Sequence, residues 1–199
     1  MDIEKITQQV LGRLFVELEA SGRHVHVTRE QAQILFGGSL TPERPLSQPG
    51  QYLAKERVTV IGPKGEFQNV AVLGPERKEA QVELSLTDGR SLGLKLPVRP
   101  SGDVAGTPGC RLVGPRGEVA LQQGAMAAQR HIHMTPDAAD HFGVKDGQLV
   151  QLQTLTDRPV IFSQVLVRVS PDFETYVHLD YDEANACGFH PGSLGRILV

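Results

Sequence analysis

Arg23-His24-Val25-His26-Val27-Thr28-Arg29-Glu30-Gln31-Ala32 is answered 107 residues later by Arg130-His131-Ile132-His133-Met134-Thr135-Pro136-Asp137-Ala138-Ala139. Both stretches alternate histidine with an apolar residue, which predicts a strand, then place a threonine where a helix N-cap belongs and an acid in the turn that follows. In the second copy Pro136 takes the first helical position and Gly143 the predicted stop. A strand running into a short capped helix, written twice, is the grammar of a duplicated unit.

The duplication extends downstream. Val70-Ala71-Val72 matches Val165-Leu166-Val167, and Val82-Glu83-Leu84 matches Val177-His178-Leu179, now at an offset of 95. The first copy therefore carries twelve additional residues, and the Pro-rich stretch 38–53 is where they fit. Around these matches the chain is strand and turn. Val58 to Ile61 and Phe67 to Leu73 flank Gly62-Pro63-Lys64-Gly65, while Val150 to Leu155 and Val160 to Val169 flank Thr156-Asp157-Arg158-Pro159, so each pair predicts a hairpin. The 21 glycines and 13 prolines are spread as turn punctuation, which favours many short strands over long helices. The expected fold is mainly β: two β-barrel domains from an internal duplication, capped by short α-helices, with 23–128 as the first barrel, 129–199 as the second and a strand at 15–22 joining them. Ile3, Ile6, Val10, Leu11 and Leu14 recur at helical spacing behind Asp2, predicting an amphipathic helix over 1–14.

Strand geometry turns the histidine pairs into chemistry. Residues two apart share a face, so His24 with His26, and His131 with His133, each present two imidazoles side by side. The repeat supplies a third donor to each, because Glu83 and His178 are equivalent positions. The predicted metal sites are His24, His26, Glu83 and His131, His133, His178. Three protein ligands leave coordination positions open, as a catalytic site requires. A His-rich set suits zinc, two per chain, although cobalt, nickel or iron bind similar donors. Because Glu83 stands where the other copy has a histidine, the two metal sites are unlike. His141 and His190 fall outside the repeat, on a helix surface and in a turn.

Arg77, just ahead of Glu83, is either a bidentate anion contact beside the metal or a solvated loop arginine. Arg23 and Arg130 point away from the histidines that follow them and read as ion-pair or rim residues. Ser101-Gly102-Asp103 is either an anion-binding turn or an ordinary one. A net charge of −3 with mixed signs gives no basic face for nucleic acid. No run approaches the ~20 apolar residues of a membrane span. Residues 1–16 lack the basic start and apolar run of a signal peptide, and Cys110 and Cys187 form neither a disulfide framework nor a Cys-x-x-Cys site, so the chain reads as cytoplasmic. P-loop, dinucleotide-binding, serine-hydrolase and His-Glu-x-x-His motifs are absent. Neither cysteine has a sequence neighbour that would activate it.

Ser21 to Val27, Leu73 to Arg77, Gln81 to Ser85, Pro97 to Asp103, Arg130 to Met134 and Val177 to Ala186, taken in order, resemble the microcompartment-associated phosphotransacylases, the phosphate propanoyltransferases. The resemblance runs from about Val16 to the C-terminus. It implies two barrels that exchange strands, with two metals, usually zinc. The first, held by His24, His26 and Glu83, also meets the sulfur of coenzyme A; the second is held by His131, His133 and His178. It implies that Arg77 is the catalytic, phosphate-contacting arginine and that the loop with Ser101 lies near the same anion. The reaction implied is acyl-CoA plus phosphate giving acyl phosphate plus CoA, reversibly; metal and Arg77 can account for it without a protein nucleophile, so direct transfer in a ternary complex is expected.

Two readings of residues 1–14 stand side by side: an encapsulation peptide that addresses a microcompartment and its shell or core proteins, or a helix packed on the barrel. Its apolar face also suits a homo-oligomer. Acetyl and propanoyl groups both fit. Without the resemblance, the same residues describe a dinuclear metallohydrolase or a non-enzymatic, metal-stapled β scaffold.

Overall fold

Apolar residues on alternate positions give a long strand such as Leu149–Leu155 one buried face, while the histidine-bearing strands are buried throughout. The computed structural model describes residues 10–199. The sequence element expected at 1–14 therefore lies partly outside the described residues; its visible end, α1, covers 10–14, with Val10 and Leu14 exposed. In chain order follow β1 (Val16–Ser21), β2 (His24–His26), α2 (Arg29–Phe36), β3 (Pro42–Pro45), β4 (Tyr52–Ile61), β5 (Glu66–Gly74), β6 (Gln81–Glu83) and α3 (Leu86–Leu92). Then come β7 (Val98–Arg99), β8 (Arg111–Val113), β9 (Glu118–Ala120), β10 (Ala125–Ala128), β11 (His131–Met134), α4 (Pro136–Phe142), β12 (Leu149–Leu155), β13 (Ile161–Val169), β14 (Tyr176–Asp180), α5 (Tyr181–Ala186) and β15 (Leu194–Leu198). None of these helices is long and apolar enough to cross a membrane.

The described chain divides into two units, residues 10–21 with Gln129–Val199, and Gly22–Ala128. In the first, six strands close a barrel in the order β1-β14-β11-β13-β12-β15, around a core that includes Leu18, Ile132, Leu152, Val165 and Val177. In the second, nine strands form one sheet in the order β7-β10-β6-β2-β5-β4-β8-β9, with β3 on β4, over a core that includes Val25, Leu35, Val72, Val82 and Leu112. The mainly β class holds, but this second sheet is a half-barrel. Its edge strand β7 has two residues set among Pro97 and Pro100, and proline has no N–H with which to extend a ladder. The twelve additional residues of the first copy contain β3, an exposed edge strand begun and ended by proline.

Each repeat lends its leading strand to the other. β1, which precedes Arg23, pairs in parallel with β14, and β10, which precedes Arg130, pairs in parallel with β6.

Local detail repeats as well. Thr28 and Thr135 cap α2 and α4 through Gln31 N–H and Ala138 N–H, and Gly143 ends α4 with φ 66°. Between Phe67 and Val70 on β5, and between Phe162 and Val165 on β13, one additional residue opposes the partner strand, and Asn69 and Gln164 there have φ 57° and 55°. These are matching β-bulges at the 95-residue offset. Arg23 lies 4.1 Å over the ring of Phe67 and forks onto Asp88 (2.8 and 3.2 Å); Arg130 lies 5.6 Å from Phe162 and pairs with Glu183. Both acids also close capping boxes, with Ser85 on α3 and Asp180 on α5.

Within the half-barrel, two turns of identical design dock on helix ends. Gly62-Pro63-Lys64-Gly65 sends Lys64 N–H to the Leu92 carbonyl (2.9 Å), and Gly114-Pro115-Arg116-Gly117 sends Arg116 N–H to Leu35 (3.0 Å). A Cβ on Gly62 or Gly114 would overlap the very carbonyl being capped, so both positions need glycine.

Candidate metal centres

β2 lies between β5, to which it is parallel, and β6, to which it is antiparallel; this sets His24 directly opposite Glu83 and His26 opposite Gln81. β11 lies in the same way between β13 and β14, with His131 opposite His178 and His133 opposite Tyr176. Register thus brings the third donor to each pair. The donor atoms of His24, His26 and Glu83 all lie within 4.8 Å of one another, as do those of His131, His133 and His178. All six sequence-predicted ligands stand in these two groups, and five of them are buried, His178 being partly so.

The histidines are oriented from behind. Nδ1 of His24 lies 2.8 Å from the Gly22 carbonyl, Nδ1 of His131 lies 2.8 Å from that of Gln129, and Nδ1 of His26 lies 3.2 Å from that of Leu73. A carbonyl only accepts, so in the neutral ring the proton sits on Nδ1 and the lone pair on Nε2. In the barrel, Glu19 of β1 stands 3.4 Å from Nδ1 of His178. Such partners fix tautomer and ring direction in metal-ligating histidines, and this donor chemistry fits a divalent metal at each group. Phe173 stacks on His133 at 4.1 Å between ring centres and covers it.

Electrostatics separates the two groups. Burial of His24 disfavours its charged form, but the Glu83 carboxylate, 3.6 Å away, outweighs that and raises its pKa. Burial, reinforced by the charges of His24 and Arg77, holds His26 well below the ordinary histidine value. For Glu83, burial alone would raise the pKa; the neighbouring His24, His26 and Ser101 overcome it and keep the carboxylate ionised. The other group has no carboxylate among its three donors.

Arg77 is half-buried, and its backbone N–H donates to the Val27 carbonyl (2.9 Å), one residue beyond β2. Its charge reaches both His24 and His26. The turn that carries it leaves β5 through a cis Gly74-Pro75 bond, with Tyr52 packed where a Gly74 side chain would be. Ser101 donates its hydroxyl to Glu83 (2.9 Å), which puts its loop next to the first group. Sequence reasoning missed Gln81, Glu19 and Phe173. Gln81 was within reach, since it lies two residues before Glu83 on the same strand face; Glu19 and Phe173 depend on register and loop path. His141, on α4, lies 2.8 Å from the Arg13 carbonyl through Nε2, and His190 is in an exposed turn.

These features define a class: a duplicated β-barrel protein carrying two three-donor sites of metal-ligating chemistry, one with an arginine beside it. The sequence profile of the phosphate propanoyltransferases matches residues 17–190. Proteins of that name are similar to the chain over most of their length: one from Listeria monocytogenes is 54% identical over 98% of this chain and 93% of its own. One from Clostridioides difficile is 52% identical (98% and 95%), and one from Thermotoga maritima 51% (89% and 86%). The chain belongs to the phosphate propanoyltransferase family and is an acyltransferase.

Proposed function

We propose that the chain transfers an acyl group, propanoyl or acetyl, reversibly between coenzyme A and phosphate, using His24, His26, Glu83 and His131, His133, His178 to hold two divalent metals, most consistent with zinc. The observation that carries this is the gathering of two sets of three donors, each within 4.8 Å, with Arg77 fastened through its backbone N–H to Val27, next to His26 of the first set. When bound, the metals supply Lewis acidity that polarises the thioester carbonyl and eases departure of the thiolate.

The chain's own residues do the rest. Arg77 holds phosphate by its guanidinium fork, so that a phosphate oxygen is presented to the thioester carbon instead of diffusing to it. A carbon–oxygen bond forms, the carbon–sulfur bond breaks, and the proton of hydrogen phosphate ends on the sulfur of CoA. The thiols are unsuited to act as nucleophiles, since burial pushes Cys110 up to about 12 and raises Cys187 also. Direct transfer needs no protein nucleophile and is the route this reading adopts.

The test is thiol release from propanoyl-CoA and acetyl-CoA with and without phosphate, with acyl phosphate trapped by hydroxylamine. Phosphate-dependent release is expected. Release independent of phosphate marks a hydrolase, and an acylated protein that frees CoA before phosphate is added overturns direct transfer.

Encapsulation belongs to the same proposal. Residues 1–14 would address the enzyme to a microcompartment and favour self-association through their apolar face. A fluorescent protein fused to residues 1–14 is expected to co-purify with shells, and diffuse fluorescence refutes it; sedimentation of the chain with and without 1–14 reads the oligomer.

A further inference from the structure

Gln81 is an amide at 2% exposure on a three-residue strand, where an apolar side chain would be the default. A buried amide costs about 1–3 kcal/mol unless its hydrogen bonds are made, so where those bonds lead is informative. Its Nε2 donates to Glu83 Oε1 and to Ser101 Oγ (3.0 Å), and its Oε1 accepts from Gly102 N–H (2.8 Å). Ser101 Oγ in turn donates to the same Glu83 Oε1 (2.9 Å). Two donors thus converge on one oxygen of the carboxylate, and the turn at 101–102 is fastened to it.

We propose that Gln81, with Ser101, is the positioning residue for Glu83: it fixes the direction of that carboxylate as a metal ligand and couples it to the 101–102 turn. This rests on the metal-binding reading above. The duplicate supports it by contrast. At the position equivalent to Gln81 the other copy has Tyr176, and its third donor is a histidine backed by the Glu19 carboxylate. A carboxylate ligand is oriented by donors and an imidazole ligand by an acceptor. Each copy has the partner that its own ligand demands.

Metal-stripped full chain, titrated with zinc against a chromophoric chelator, tests this without reference to activity. Wild type is expected to bind two zinc ions. Gln81→Leu should weaken one of them about 10- to 100-fold and leave the other unchanged; Ser101→Ala should weaken the same ion less, and Ser101→Thr, which keeps the hydroxyl, should restore it. In a His131→Ala/His133→Ala background the single remaining ion should show the whole effect of Gln81→Leu. Wild type that binds no zinc overturns the metal reading itself. Wild type that binds two, with both equally tight in Gln81→Leu and Ser101→Ala, overturns the positioning role alone. If Gln81→Leu does not fold by circular dichroism, Ser101→Ala decides by the same criterion.

Discussion

Arg77 is the residue whose loss separates a phosphate-using acyltransferase from a metal-binding scaffold. Arg77→Ala is expected to lower kcat/KM for phosphate about 100- to 1000-fold, with Arg77→Lys recovering only part because a point charge replaces a fork. An unchanged phosphate dependence in Arg77→Ala, measured by thiol release, refutes the assignment. Cys110 gives the opposite kind of prediction. With its thiol pushed up to about 12 by burial, its ionised fraction at pH 8 is on the order of 10⁻⁴. Iodoacetamide should therefore leave Cys110 unmodified in the folded protein by peptide mass spectrometry, and Cys110→Ser should keep full activity; rapid native labelling or lost turnover contradicts this. The two donor groups were legible in sequence because duplication supplied a second copy against which to align His24, His26 and Glu83. The face that Gln81 shares with Glu83 was legible too, but Glu19 and Phe173 were not, since what they touch depends on strand register and loop path.

Elements here are fastened by small devices repeated at fixed positions. The bulges at Asn69 and Gln164 sit beside Phe67 and Phe162, the rings on which Arg23 and Arg130 rest, and each arginine reaches an acid that caps the helix following the third donor. Strand and helix are thereby locked in register next to each histidine pair. The docking turns admit a direct check. Gly62→Ala and Gly114→Ala should each cost about 1–3 kcal/mol, as overpacking does, seen as a lower urea midpoint with unchanged slope; a midpoint equal to wild type would show that the helix ends yield freely. Sequence foresaw both long hairpins and the threonine caps, where the signal is local. It did not foresee β3 or the two-residue β7, because edge strands of two to four residues are defined by what they lie against and not by their own pattern.

At the scale of the molecule, each unit has its own apolar core apart from its donor triad. Removal of metal with a chelator should therefore abolish acyl transfer while far-UV circular dichroism stays near that of the loaded enzyme, and zinc should restore turnover; unfolding on chelation would instead make the triads structural staples. Barrel formation was legible as a class from turn spacing, whereas closure in one unit and not the other depends on pairings distant in sequence. The exchanged strand β1 has a consequence for biogenesis. Its neighbours β14 and β15 are made only after about 155 further residues, so at ~5–20 residues per second it waits on the order of ten to thirty seconds for the pairings that complete its sheet. Gly22–Ala128, whose strand pairings all lie within its own span, has every partner to hand far earlier. The nascent chain thus presents a finished half and an orphan strand, Val16 and Leu18 uncovered, for much of its synthesis.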